Sequence, residues 1–219
     1  MASLTDPAEQ SWRTKPTDRF VLKWIKLNLS APLTLRLAGV GPLEPWMITA
    51  VSAVLGVCAG FIFAAGWGLT AGLVAAASQV LDGVDGQLAR LTGRARRAGA
   101  FLDSVLDRYA DGFLVIGLIA FNGRMDMPIW LLVAVGGAAL VGGGLISYSS
   151  ARAENLGIGL GGPTLASKGT RTTIAALSGI LSPFVPYAPA AALAYLAVHT
   201  NVVVLYRIGL AYGAREGEE

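Results

Sequence analysis

Charge is what this chain has least of. Of its 219 residues, 54% are hydrophobic and only 14% are Asp, Glu, Lys or Arg, too few to cover a soluble domain of that length. What remains is long apolar stretches, each close to the about 20 residues that a helix needs to cross a bilayer. Cysteine is nearly missing. Cys58 stands alone, which excludes an intrachain disulfide and a cysteine-ligated metal site. Histidine is as scarce: His199, the single one, lies near the middle of the last apolar stretch, where a helix–helix hydrogen bond is its ordinary role. Residues 1–15 are polar, carry Arg13 and Lys15, and lack the apolar core and cleavage site of a secretory signal, so none is expected there.

Six apolar segments can be marked, at residues 46–65, 67–90, 99–122, 129–152, 172–186 and 188–210. The expected fold is all-α: a polytopic membrane protein with six transmembrane helices and an N-terminal amphipathic interfacial helix. Residues 1–44 would form the cytoplasmic leader, 45–212 the six-helix membrane domain and 213–219 a cytoplasmic tail. The fifth segment is short, and Pro183, Pro186 and Pro189 punctuate its exit, which predicts a tilt or kink. Gly136, Gly137, Gly142, Gly143 and Gly144 in the fourth predict a face packed closely on another helix. In the leader, Phe20-Val21-Leu22-x-Trp24-Ile25-x-Leu27 and Leu33-x-Leu35-x-Leu37 alternate with Arg19, Lys23, Lys26 and Arg36, an aromatic-plus-basic pattern suited to a membrane interface. Ser30 is placed to cap a second helical turn, with Pro32 just inside it.

Positive charge gathers at alternate ends of these segments. Arg13, Lys15, Arg19, Lys23, Lys26 and Arg36 precede the first; Arg90, Arg94, Arg96 and Arg97 surround the second connection. Arg152, Lys168 and Arg171 flank the fourth connection, and Arg207 and Arg215 close the chain. Only Arg124 falls in a connection on the other side. The positive-inside rule then puts both termini, and whatever opens between segments two and three, in the cytoplasm of an integral membrane protein.

Against this apolar background the acids stand out. They read Asp82-x2-Asp85-Gly86-x2-Ala89-Arg90-x8-Gly99-x3-Asp103-x3-Asp107, with Asp111 one turn on. A carboxylate at the centre of a membrane helix costs about 2.5–3.5 kcal/mol on insertion scales, so several facing lipid would cost about 10 kcal/mol or more. Asp82 and Asp85 are i,i+3, and Asp103, Asp107 and Asp111 are i,i+4, giving two acidic stripes on helices joined by the Gly93–Arg97 turn. Asp82 would lie about 12 Å below Arg90, so the acids form a pocket entered from the cytoplasmic surface. Two such charges 4 Å apart repel by about 4 kcal/mol at an effective dielectric near 20. An all-oxygen site that relieves this suits Mg²⁺, Mn²⁺ or Ca²⁺ rather than zinc, and two ions close together would clamp a phosphoryl group in transfer. Gly86, Ala89 and Gly99 leave room for a base and a diphosphate, and Arg90 is placed to neutralise phosphate oxygens.

This pattern resembles that of the CDP-alcohol phosphotransferases, and the six-segment layout extends the resemblance over nearly the whole chain. It implies attack by an acceptor hydroxyl on a CDP-linked donor with release of CMP, in phospholipid biosynthesis. By the same resemblance Asp82, Asp85, Asp103 and Asp107 bind two divalent ions, Mg²⁺ or Mn²⁺, with Asp107 also the general base. Asp85, Gly86, Ala89, Arg90 and Gly99 line the cytidine diphosphate site, and Asp111 supports the cluster. The family also implies a homodimer; no nucleic-acid partner is expected.

Arg152, Lys168, Arg171 and Arg207 would converge at one membrane level from three segments, which suits an acceptor that carries phosphate. Inositol phosphate is the first expectation and glycerol phosphate the second, with CDP-diacylglycerol as donor and CDP-archaeol not distinguished from it. Lys168-x-x-Arg171 is similar to the basic pair of the inositol-phosphate-using members. Ser150, however, stands where the phosphatidylinositol-phosphate synthases usually have a basic residue. Lys15-Pro16-Thr17-Asp18-Arg19 and 102–111 look like the membrane domain of di-inositol-phosphate-phosphate synthases, which makes CDP-inositol the alternative donor. A divalent-cation transporter would use the same acids, yet would not need Gly86, Ala89, Arg90 and Gly99 at these spacings, and no second copy of the motif suggests a transporter repeat.

Overall fold

A computed structural model describes residues 12–15, 18, 20–162 and 164–213. Arg19, Pro16, Thr17 and Arg215, which entered the charge count and the leader motif, lie outside the described residues, as do 214–219 of the expected tail. The regular structure of the described residues is all helix, with no strand among them. Two short helices, α1 (Phe20–Ile25) and α2 (Ala31–Leu37), are joined without a break by a π-helical turn at Lys26–Ser30. Six longer ones follow: α3 (Pro45–Ala64), α4 (Gly68–Leu91), α5 (Arg97–Asn122), α6 (Ile129–Leu156), α7 (Lys168–Leu181) and α8 (Ala188–Gly213).

Each expected apolar segment is therefore a helix, but only three helices of the described residues are long and apolar enough by themselves to cross a membrane: α3, α6 and α8. The others differ for identifiable reasons. The C-terminal half of α4 and the N-terminal half of α5 carry the acids and their polar neighbours, and α7 has 14 residues, about 21 Å at 1.5 Å per residue, against a hydrocarbon core of about 30 Å.

The closest packing joins α3 to α4 and α5, α4 to α7, and α6 to α8, so α4 and α5, successive in the chain, stand apart rather than packed on each other. Arg124, after α5, donates to the Ala64 carbonyl at the end of α3, and Arg94, after α4, donates to the Leu43 carbonyl before α3. The connections thus sort to two ends of the bundle. Between the ends the core is built mostly of alanine with Phe63, Leu114, Leu118, Leu132, Leu193 and Leu196, and Phe63 meets Phe121 edge-on at 5.9 Å. Small residues let backbones touch. A Cβ on Gly60 would strike the Phe113 carbonyl and one on Gly117 would strike Gly60 itself, so α3 and α5 are in direct backbone contact.

The glycine run of α6 divides its duties. A side chain on Gly136 would meet Ile119 of α5 and one on Gly142 would meet Thr200 of α8, whereas Gly137 and Gly144 face open space. The expected single packing face is thus two faces, with two glycines on neither. At its end α6 stops in a left-handed Gly157 (φ 69°), with Ile158 N–H donating to the Ala153 carbonyl at 2.9 Å, a Schellman closure.

Helix α7 begins at Lys168, four residues before the expected start, because Ser167 caps it through Thr170 N–H. Pro183 and Pro186 fall after its end, and Pro189 sits buried in the first turn of α8, so the prolines separate two helices rather than kink one. Ser30 does not cap: its backbone is helical, and its hydroxyl donates to the Val80 carbonyl of α4 at 2.8 Å. The segment it belongs to turns Lys26, Ser30, Ala31 and Thr34 inward and leaves Val21, Trp24, Leu29 and Leu35 exposed.

Candidate active site

One end of the bundle opens into a cavity of about 1090 Å³ walled by α4 to α8, with α1 at its edge. The two acidic stripes face each other across it. Asp82 from α4 and Asp103 and Asp107 from α5 present carboxylate oxygens that all lie within 4.8 Å of one another. Lys168, at the start of α7, reaches in between, with Nζ 2.5 Å from both Asp82 Oδ1 and Asp107 Oδ1.

Asp85 lines the same cavity but stands outside that trio. It is buried, its Oδ1 accepts from Gly86 N–H, and its Oδ2 is buried with no hydrogen-bond partner among the described residues. A buried carboxylate oxygen without a donor is costly. Together with a cluster of hard oxygen donors, that orphan fits a divalent cation. The residues present could hold such an ion.

The remaining motif positions separate. Gly86 lines the cavity beneath the Arg90 side chain, where a Cβ would lie 3.3 Å from Nη1. Gly99 has no protein atom within 4 Å of where its Cβ would be; neither it nor Ala89 is part of the cavity wall. Arg90 is partly committed, for its Nε donates to the Trp12 carbonyl at 3.0 Å. Next to it Gln87, fully buried, donates to the carbonyls of Arg13 (2.7 Å) and Lys26 (3.0 Å) and accepts from the Thr34 hydroxyl. These bonds, with a buried Asp18–Lys26 ion pair at 2.7 Å, lay the chain before α1 across the α4 end of the cavity and bring Lys15 to its wall. Sequence reasoning passed over Gln87 and Gly83, whose missing Cβ admits Ser30. Their only signal was a helix face that is polar and small at once.

Of the four expected acceptor cations, three line the cavity and one does not. Arg152 is exposed and points elsewhere. Arg171 is buried, donates through Nε (3.3 Å) and Nη2 to the two oxygens of Asp111, and gives Nη1 to the Ala166 carbonyl at 2.6 Å. Asp111 is thus held by Arg171 and is not a member of the carboxylate trio. Arg207 Nη1 is bound by the Ile146 carbonyl and the hydroxyls of Ser149 and Ser150 at 2.6–3.0 Å. Arg108, bonded to the Ser147 hydroxyl at 2.5 Å, joins them on the wall. The cavity therefore has an acidic part fed by α4 and α5 and a basic part fed by α5, α7 and α8.

Most of the chain is similar to known proteins. Residues 43–207 match the model of the CDP-alcohol phosphatidyltransferase family. An archaetidylinositol phosphate synthase of Pyrococcus horikoshii is 32% identical over 146 residues, 67% of this chain and 73% of that one. A bifunctional IPC transferase and DIPP synthase of Thermococcus kodakarensis is 35% identical over 135 residues, 62% of this chain but only 30% of that longer protein. The crystal structure of Mycobacterium tuberculosis phosphatidylinositol phosphate synthase with CDP-DAG bound is 28% identical, covers 84% of this chain and 94% of that one, and superposes with a TM-score of 0.72; its complex with manganese and citrate gives 0.73. An all-helical membrane protein whose facing helices gather these aspartates in one cavity, the chain belongs to the CDP-alcohol phosphatidyltransferase family.

Proposed function

We propose that this chain transfers a substituted phosphate group from CDP-diacylglycerol to a hydroxyl of a phosphorylated polyol, inositol phosphate before glycerol phosphate, and releases CMP. The observation that carries the reading is the convergence of Asp82, Asp103 and Asp107 within 4.8 Å, beside a basic part of the same cavity that holds Arg108, Arg171 and Arg207. The similarity to an enzyme crystallised with CDP-DAG, and with manganese, supports the donor and the metal. Asp82, Asp85, Asp103 and Asp107 would hold two divalent ions, Mg²⁺ or Mn²⁺, which when bound polarise the reacting oxygens and neutralise charge on the phosphoryl group.

The side chains do the rest. Asp107 accepts the acceptor's hydroxyl proton as the new P–O bond forms, and the bond to the CMP oxygen breaks with its electron pair leaving on CMP. Gly86 and Arg90, which line the cavity, flank the nucleotide. Arg207 and Lys168 meet the acceptor's phosphate, while Arg171 holds Asp111 and shapes the wall between them. Val115, Ala139, Leu140 and Leu196 line the cavity as well, and their apolar surface limits water as a competing nucleophile.

In this reading α3 to α8 all span the bilayer, with the acids of α4 and α5 turned to the cavity, and α1–α2 lie on the cytoplasmic interface through Val21, Trp24 and Leu35. The charge bias puts both termini and the cavity mouth on the cytoplasmic side. A homodimer is the working assembly.

CDP-inositol as donor is the second reading. It is favoured by Ser150, neutral where a basic residue was expected, and by the similarity to the Thermococcus enzyme. Membership in a family of transferases speaks against a cation transporter. The test is CMP release with each donor paired with each acceptor. CDP-diacylglycerol with inositol phosphate is expected to be productive.

A further inference from the structure

Lys168 is, among the described residues, the cation paired with the clustered carboxylates, and it takes one oxygen from each of two helices. Three carboxylates whose oxygens lie within 4.8 Å of one another have a single shared centre. The Lys168 ammonium donates to Asp82 Oδ1 and Asp107 Oδ1 and neutralises the negative charge that a divalent ion would neutralise there. The two cations would repel each other at that shared centre, so each weakens the other's hold on the carboxylates. The position of Lys168 is also unusual for its helix: it is the first residue of α7, where the positive end of the helix dipole repels a cation. Its attraction to the acids is what overcomes that repulsion, and an ion that neutralises the acids removes the attraction.

We infer that Lys168 is a built-in competitor for the divalent cation, and that metal loading expels its ammonium toward the basic part of the cavity that Arg171 and Arg207 line. This rests on the metal-dependent reading above and deepens it, since it makes metal and anionic acceptor bind in concert. Arg171 is i,i+3 from Lys168 on the same face of α7, and a four-carbon stem lets the ammonium turn from one to the other. Linkage is reciprocal: an anion that captures the freed ammonium tightens the metal, and the metal tightens the anion.

The test uses the full chain in detergent micelles, with Mn²⁺ affinity measured by equilibrium dialysis. Lys168→Met is expected to bind Mn²⁺ about tenfold more tightly than the wild type, within the range typical of site–site coupling. Excess sulfate, a tetrahedral dianion, is expected to tighten Mn²⁺ binding in the wild type and not in the variant; equal sulfate effects in both would overturn the link to the anion. A tighter variant would also follow from simple loss of positive charge, so a second measurement uses the unaltered protein. Amine-reactive labelling of Lys168, read by peptide mass spectrometry, should rise several-fold when Mn²⁺ is added. Labelling that is unchanged or suppressed by Mn²⁺, while Mn²⁺ binds, overturns the exchange and leaves the transferase reading intact. If neither protein binds Mn²⁺, the metal-dependent reading itself fails. Should Lys168→Met not fold, the labelling decides alone.

Discussion

Asp85, Asp107 and Asp111 come from one run of acids, yet each has a different neighbour, and so a different expected failure. Asp107 sits half-buried against Lys168. Asp107→Asn is expected to lower kcat by about 10²–10⁴-fold, the range of a lost general base, while nucleotide binding stays measurable by calorimetry. Loss of binding with no separate defect in turnover would remove the base assignment. Asp85 has a buried oxygen with no hydrogen-bond partner among the described residues. Asp85→Asn is expected to melt higher than the wild type in chelator and to lose the rise in Tm that Mn²⁺ gives the wild type. Asp111 and Arg171 are a buried pair, and removing one partner strands the other. Arg171→Ala should cost about 3–5 kcal/mol in stability, most of which the double change Asp111→Leu with Arg171→Met should return. Denaturation of the three proteins in one detergent checks this, and an Arg171→Ala protein as stable as the wild type would refute it. Arg171 therefore reports poorly on acceptor affinity, and Arg207 is the better probe.

Between helices the decisive contacts are those of glycine. Gly60→Val or Gly117→Val must push α3 from α5 at a point where backbone meets backbone. Overpacking costs typically run to about 1–3 kcal/mol or more, whereas Gly137→Ala and Gly144→Ala, facing open space, should change stability little. Thermal melts of the four variants would separate the two classes, and equal melting temperatures would contradict the packing described. These contrasts also mark how far a single sequence can be read. The acidic spacing was enough to put Asp82, Asp103 and Asp107 on facing stripes, since i,i+3 and i,i+4 geometry is local. It was not enough to separate Asp85 from the trio or to see Arg171 take up Asp111, because those outcomes depend on where α3 and α7 come to lie. Glycine content announced close packing but not its partners. The start of α7 was missed because Ser167, an ordinary cap, sits within a polar stretch that gave no apolar periodicity. The clamp by which Gln87 and Arg90 hold Trp12 and Arg13 joins positions more than seventy apart, and no local pattern encodes it.

For the molecule as a whole, an apolar bundle carries one cavity with an acidic and a basic part, and the membrane decides from which side substrates arrive. Among the described residues only α3, α6 and α8 are long and apolar enough by composition to cross a membrane; if α4, α5 and α7 span as proposed, they are expected to need those three as neighbours, because the polar halves of α4 and α5 are tolerable only around a shared cavity. Reporter fusions at 92–96 and 157–167 are expected on the cytoplasmic side and one at 123–128 on the other, and a reversed pattern would contradict the charge-based orientation. Chelation is expected to abolish turnover and Mg²⁺ or Mn²⁺ to restore it. The measurement that bears most directly on the whole account is CMP release by the purified chain with Mg²⁺ or Mn²⁺, CDP-diacylglycerol and CDP-inositol each being paired with inositol phosphate and glycerol phosphate. Metal-dependent CMP release from CDP-diacylglycerol that requires inositol phosphate is the expected result; no CMP from any pair, in a protein that is folded and binds Mn²⁺, would contradict it.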